Sequence, residues 1–138
     1  MSIIDEQFLQ KRLVGVREIV FDDDPDIVEG YALNLEGYEL EIRTMLDTSA
    51  LQIGCGQCWT DPPIDLEPGY IYNDVSHDEP FLRFLNKRFL KWRLLTNERH
   101  DWEGLMVTFD ISEGLCFLSL DFSVSVLTVV GAQFSYES

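Results

Sequence analysis

The chain predicts an α+β fold: a meandering, mainly antiparallel sheet of about five to seven strands, one main helix packed on it and a short N-terminal helix. Three observations carry that expectation. Short runs of alternating apolar residues succeed one another through polar turns, the pattern of strands that pair antiparallel. One stretch, beginning near residue 78, repeats its apolar residues at helical spacing instead. The composition, 46% hydrophobic and 12% aromatic over 138 residues, supplies enough apolar surface for a packed core and argues against disorder. The length fits one domain over residues 1–138.

Ile3, Ile4, Phe8 and Leu9 recur near the 3.6 period and predict a short amphipathic helix over residues 3–12, closed by Lys11 and Arg12. Leu13–Phe21 is rich in β-formers and stops at Asp22-Asp23-Asp24-Pro25-Asp26, where charge and proline favour a turn. Tyr31, Leu33 and Leu35 alternate before Glu36-Gly37, and Tyr38, Leu40 and Ile42 alternate after it. That predicts a hairpin with Glu39, Glu41 and Arg43 turned to water. A third strand is expected over Ala50–Gly54. From Cys55 to Gly69 the density of Gly and Pro reads as an irregular excursion, the kind of segment that often carries function.

The main helix is expected to start near Asp78 or Glu79, with Pro80 at the first helical position and Ser76-x-x-Glu79 as a capping box. Phe81, Phe84, Leu85, Arg88 and Phe89 would share its buried face. From Leu90 the period changes to two, so residues 90–96 read either as its continuation or as a strand. Leu105, Val107 and Phe109 mark the next strand. Cys116, Leu118, Leu120, Phe122, Val124 and Val126 then predict a buried face, with Phe117, Ser119, Asp121, Ser123 and Ser125 on the wet one. A last strand is expected over Thr128–Tyr136, bent at Gly131.

Charge is segregated along this framework. Residues 83–99 hold six of the ten Lys and Arg against Glu98 alone, a net +5, while the other 121 residues hold four against 24 Asp and Glu, a net −20. A field of that sign repels nucleic acid and anionic lipid and draws in basic proteins. No positively charged leader precedes an apolar run, and no stretch approaches the roughly 18 apolar residues of a membrane span. Three cysteines, an odd number, fit a reducing compartment. The expectation is a cytoplasmic protein that binds neither membrane nor nucleic acid.

Motifs that would carry catalysis are weak. Cys55-Gly56-Gln57-Cys58 has the spacing of a redox pair or half a zinc site, but a zinc site needs four ligands and no second C-x-x-C exists. His77-Asp78, His100-Asp101, Ser76 and Ser112 are explained more simply by capping and turns. No P-loop, G-x-S-x-G, H-E-x-x-H or G-x-G-x-x-G occurs, and Asp22–Glu29 lacks the spacing of a calcium loop. The sequence leans against an enzyme, names no catalytic residue and implies no metal or cofactor.

From Lys91-Trp92 through Asn97 to Asp101-Trp102-Glu103-Gly104-Leu105 and Phe109, and on into the Leu118-x-Leu120-x-Phe122-Ser123-x-Ser125 segment, the chain resembles a bacterial family of uncharacterised small acidic proteins. In general character it is also similar to the immunity proteins that neutralise bacterial toxins: small, acidic, α+β and without catalytic motifs. That likeness implies a protein-binding role and carries over no functional residue.

The leading expectation is an acidic module that docks a basic protein, in its concrete version an immunity protein that occludes a cationic toxin. Asp22, Asp23, Asp24, Asp26 and Glu29 would supply the carboxylates, and Trp59 and Trp102 the anchors. One alternative uses the 54–75 excursion as the wall of a small-ligand or enzyme pocket lined by Cys55, Cys58, Tyr70, Tyr72 and His77. The other is a structural homodimer joined through Arg83, Lys87, Arg88 and Lys91.

Overall fold

A computed structural model describes residues 4, 6–44, 50–64, 67–96, 99, 103–109, 113–120 and 123–130. Among them are nine strands: β1 (Leu13–Phe21), β2 (Asp24–Leu35), β3 (Tyr38–Thr44), β4 (Leu51–Cys58), β5 (Tyr70–Asp74), β6 (Phe89–Thr96), β7 (Glu103–Phe109), β8 (Glu113–Leu120) and β9 (Ser123–Val130). The only helical pieces among the described residues are two 3₁₀ turns, Glu6–Phe8 and Phe81–Phe84. The fold is therefore all-β, which corrects the expected α+β class. No helix among the described residues is long and apolar enough to cross a membrane.

The strands form two antiparallel sheets, a five-stranded one in the order β4-β3-β2-β1-β5 and a four-stranded one in the order β6-β7-β8-β9. Their inner faces share one core, in which Leu33, Leu35, Leu40 and Ile42 of the first sheet join Leu105, Val107, Leu115 and Phe117 of the second. The ring of Tyr31 lies 5.6 Å from that of Phe117 across the interface. A hydrogen bond of 2.8 Å between the Thr44 and Ser119 hydroxyls ties the sheets inside the core, and the Leu51 N–H donates to Glu103 Oε1 at 2.7 Å.

The hairpin forms as its sequence dictates. Leu35 pairs with Tyr38 across Glu36 (φ 53°) and Gly37 (φ 96°), the two left-handed positions that a type I′ turn requires. Only the Gly accepts that conformation without strain.

The main helix fails for identifiable reasons. Phe81 and Phe84 are both buried, and their three-residue spacing suits a single 3₁₀ turn. Leu85 is already extended, Asn86 is left-handed (φ 67°), and residues 86–89 are claimed by the chain's N-terminal segment. Asn86 N–H donates to Leu13 O at 2.7 Å, Leu13 N–H to Lys87 O at 2.9 Å and Phe89 N–H to Lys11 O at 2.8 Å. Backbone pairing replaces the helical ladder, and residues 90–96 are strand. The expected capping box is absent too, because the Ser76 hydroxyl accepts from Val16 N at 2.8 Å and donates to Asp74 at 2.6 Å. At the N-terminus the expected helix contracts to Glu6–Phe8. Gln10 turns left-handed (φ 70°) and residues 10–13 leave to pair with 86–89.

Two strand expectations also change. β4 runs on through Cys58, which cuts the excursion expected over Cys55–Gly69 back to residues 59–69, and β5 follows it at Tyr70–Asp74. The alternation of 116–126 is not one strand, since β8 ends at Leu120 and β9 begins at Ser123. Phe117 and Ser119 face the shared core, whereas Cys116 is buried on the opposite face with Leu95 and Val129. Phe122 and residues 131–138 lie outside the described residues.

Candidate functional site

The outer face of the five-stranded sheet, turned away from the second sheet, collects most of the polar chemistry. Register places it there. Asp74, Arg17, Ala32, Glu41 and Gly54 line up across all five strands, and beside them run Tyr72, Ile19, Gly30, Arg43 and Gln52. The central strand thus contributes only Gly30 and Ala32 to these rows, and longer side chains from both sides lean over a low floor. Gly30 is required by that packing, because a Cβ there would stand 2.4 Å from Ile42 O and 2.9 Å from Arg43 Cα.

Arg43 organises one end. Its Nε donates to both oxygens of Glu29 at 2.9 and 2.7 Å, Nη1 lies 3.5 Å from Glu41 and Nη2 3.2 Å from Glu67, and the guanidinium sits 4.8 Å from the Tyr70 ring centre. Burial works against the guanidinium's charge, but Glu29 first, then Glu41 and Tyr72, prevail and raise its pKa. For Glu29, burial prevails over Arg43 and its pKa rises. Arg17 organises the other end: it stacks 3.8 Å from the Trp59 ring centre, donates to Thr60 O at 2.7 Å and reaches the exposed Asp61 at 3.6 Å. These contacts strap residues 59–61 onto the sheet.

Between the two arginines lie Glu39 and Glu41, two residues apart on the same side of β3. Burial first, then the charge and hydrogen bond of Glu41, push the Glu39 pKa up to about 7, with Arg17 pulling the other way. Among the described residues no ion pair reaches Glu39, while Glu41 shares Arg43 with two other carboxylates. Two half-buried carboxylates side by side accept a cation well, because it removes their mutual repulsion.

Where β1 turns into β2, Asp22, Asp23, Asp24 and Asp26 are all exposed, and among the described residues none of them meets a cation in an ion pair. Beside them is an open dent of about 420 Å³ lined by Phe21, Asp22, Asp23, Pro68, Gly69 and Tyr70, with the two rings 5.3 Å apart. Its acidic rim and aromatic floor match the charged head and aliphatic stem of Lys or Arg.

The structure sorts the residues singled out from sequence. Asp22, Asp23, Asp24 and Asp26 come together at the hairpin tip, but Glu29 is turned inward to Arg43 and is only 3% exposed. Trp59 is half-buried against Arg17, and Trp102 lies outside the described residues, as do His100, Asp101 and Ser112. The pocket set is not assembled, because Cys55 and Cys58 are on β4 while Tyr70 and Tyr72 are on β5, at opposite edges of the sheet. His77 is exposed beyond β5. Of the proposed dimer set, Arg83 pairs with Glu113, and Lys87 and Arg88 belong to the segment paired with residues 11–13. Lys91 is exposed on β6. Cys55, Cys58 and Cys116 are free thiols, and among the described residues no group of three or more His, Cys, Asp and Glu is placed to hold a metal.

Sequence reasoning missed Arg17, Arg43 and the Glu39–Glu41 pair as a unit. A signal existed for part of it: the two-residue turn fixes Leu35 opposite Tyr38, and counting back sets Arg43 opposite Gly30 and beside Glu29. The chain stands apart in comparison, since no family model, no curated protein and no solved structure matches it.

Proposed function

We propose that this protein is an acidic, cytoplasmic binding module that docks a basic protein on the outer face of its five-stranded sheet. Neutralisation of a cationic toxin by occlusion is the concrete version. The observation that carries the reading is the Glu39–Glu41 pair, an uncomfortable juxtaposition that a partner's ammonium or guanidinium relieves. The hairpin-tip aspartates supply the steering field, and the dent beside them is a seat for one cationic side chain. Three free cysteines agree with a reducing cytoplasm.

Hexa-arginine peptide is a direct probe. Titrated into the labelled protein and followed by amide NMR, it is expected to shift residues 21–26, 39–43 and 67–72 together. Binding should strengthen from pH 6 to pH 8 as the Glu39–Glu41 pair loses its proton, and Glu39→Gln should remove that dependence. With a cognate basic protein, the association rate should fall steeply with salt, since screening shortens electrostatic reach to about 10 Å at 0.1 M. Replacing Asp22, Asp23, Asp24 and Asp26 by Asn should slow it further. Shifts confined to the four-stranded sheet, or a rate indifferent to both salt and charge removal, would sink the reading.

A further inference from the structure

The two sheets end in four edge strands, β4, β5, β6 and β9, and three of them are guarded. β5 closes with Asn73-Asp74, β6 carries exposed Lys91 and Arg93, and β9 packs against β2 and β3 of the other sheet. β4 has β3 as its one close strand neighbour among the described residues, and Leu51-Gln52-Ile53-Gly54-Cys55-Gly56-Gln57-Cys58 contains neither a charge nor a proline. Charge and proline are what keep an open edge from pairing with another chain. The one irregularity in β4 is a bulge, since Cys55 and Gly56 stand together opposite Leu40, which bends the strand and leaves residues 51–54 as its straight part.

Register fixes which main-chain groups point off that edge. The two-residue turn makes Leu35–Tyr38 a hydrogen-bonded pair, so Tyr38, Leu40, Ile42 and Thr44 bond towards β2, while Glu39, Glu41 and Arg43 bond towards β4. Arg43 is opposite Gln52 and Glu41 opposite Gly54, which turns the N–H and C=O of Leu51 and Ile53 away from the sheet. Leu51 has the same phase independently, because its N–H donates outward to Glu103 Oε1 at 2.7 Å. Among the described residues nothing pairs with the N–H or C=O of Ile53.

We propose that the β4 edge is a self-association surface, on which two copies of the chain pair β4 with β4, antiparallel, about a twofold axis at Ile53. An antiparallel edge is its own complement under twofold symmetry. Ile53 then meets Ile53 of the second copy as a hydrogen-bonded pair, each donating one bond and accepting one, and the two five-stranded sheets become continuous. Leu51 and Ile53 are half-buried on the core side of the strand, so the second copy covers their open flank. Gln52, exposed on the other side, falls opposite Gly54 of the second copy, where the missing side chain leaves room. The straight part is short, which makes the dimer weak and reversible. Each copy carries a net −15 and Glu103 stands beside the seam, so like charge opposes pairing until salt screens it. This seam is not the homodimer expected through Arg83, Lys87, Arg88 and Lys91, and it leaves the protein-docking face of the sheet open.

Analytical ultracentrifugation of the protein alone, over a wide range of its concentration at low and high sodium chloride, tests the proposal. A reversible monomer–dimer equilibrium is expected, with an association constant at least about five-fold higher between about 0.05 M and about 0.5 M salt. That sign is opposite to the salt effect on a basic partner, so the two readings fail separately. In an NMR dilution series the amides of residues 51–54 should shift, and exchange at Ile53 N–H should slow as the dimer forms. Gln52→Glu places a charge in the seam and should weaken association by at least about five-fold, whereas Gln10→Glu, the same added charge at an exposed position outside it, should stay within about two-fold. Ile53→Pro removes a donor that faces away from β3 and should abolish the dimer. Should that variant fail to fold, Gln52→Glu carries the test, because its side chain is exposed in the monomer. A monomer at every concentration and salt, association indifferent to Gln52→Glu, or dilution shifts confined to another edge would overturn it.

Discussion

The outer faces of the two sheets are built on opposite principles. On the five-stranded sheet the outward positions hold Arg17, Glu39, Glu41, Arg43, Tyr70 and Tyr72 over a floor of small residues. On the four-stranded sheet they hold Leu95, Met106, Cys116, Leu118 and Val129, and Leu95, Cys116 and Val129 are buried. The first face answers its own charges in part and leaves carboxylates over. The second carries almost no charge beyond the basic row on β6. A sheet with one wet face announces its register by alternation, and a sheet apolar on both faces does not.

The largest test of this contrast lies in β8. Phe117→Ala should cost about 3–5 kcal/mol in chemical denaturation, as it empties the shared core. Its neighbour Cys116→Ser should cost about 1–2 kcal/mol, because a hydroxyl is placed in a fully buried apolar site on the other face. A negligible effect at Cys116 would mean that this face is wet after all.

The ionic face should show a graded response. Glu29→Gln removes the doubly bonded carboxylate from Arg43 and should cost about 1–3 kcal/mol, whereas Glu67→Gln, at a side chain 53% exposed, should cost under about 0.5 kcal/mol. Equal costs would show that Arg43 is held by the aggregate field and not by Glu29.

Smaller still is a pH effect. Glu39 has a folded pKa near 7 against an unfolded value near 4.5, so the folded state holds its proton more tightly. Its contribution is complete below the unfolded value and is lost as pH rises through 7. Stability should therefore fall between about pH 5 and 8 by roughly 1 kcal/mol after solvent screening, and Glu39→Gln should flatten that part of the curve. A curve unchanged by the substitution would place the frustrated pair elsewhere.

The same contrast explains what could be read before the structure. In the β2–β3 hairpin and β7 the apolar residues alternate, and Tyr31, Leu33, Leu35, Leu40, Ile42, Leu105, Val107 and Phe109 were legible as inward from spacing and turn chemistry, whereas β1 was legible only as β-rich composition. β8 carries Leu115-Cys116-Phe117-Leu118 without polar interruption, so parity had to be guessed from the serines that follow, and the guess put Phe117 outside. The helix expected at residues 78–90 was lost to pairing with residues 10–13, a contact more than seventy positions away that no local period reports. Charge along the chain located the acidic tip, but Arg43 meeting Glu29, Glu41 and Glu67 depends on the pairing register and on a connection returning over the sheet.

Strand order also sets an order of assembly. β6 to β9 pair only with sequence neighbours, as do β2 to β4, so both can form from successive hairpins with short closures. β5 is different: it must return to β1 across some fifty residues, as Phe21 opposite Tyr70 shows, and it brings only five residues, none of them fully buried. Long closure for little buried surface makes β5 the late arrival in folding and the early departure in local unfolding. Its amides should exchange with solvent deuterium well ahead of those in β2 and β7, and the Tyr70 and Tyr72 side of the ionic face would open with them.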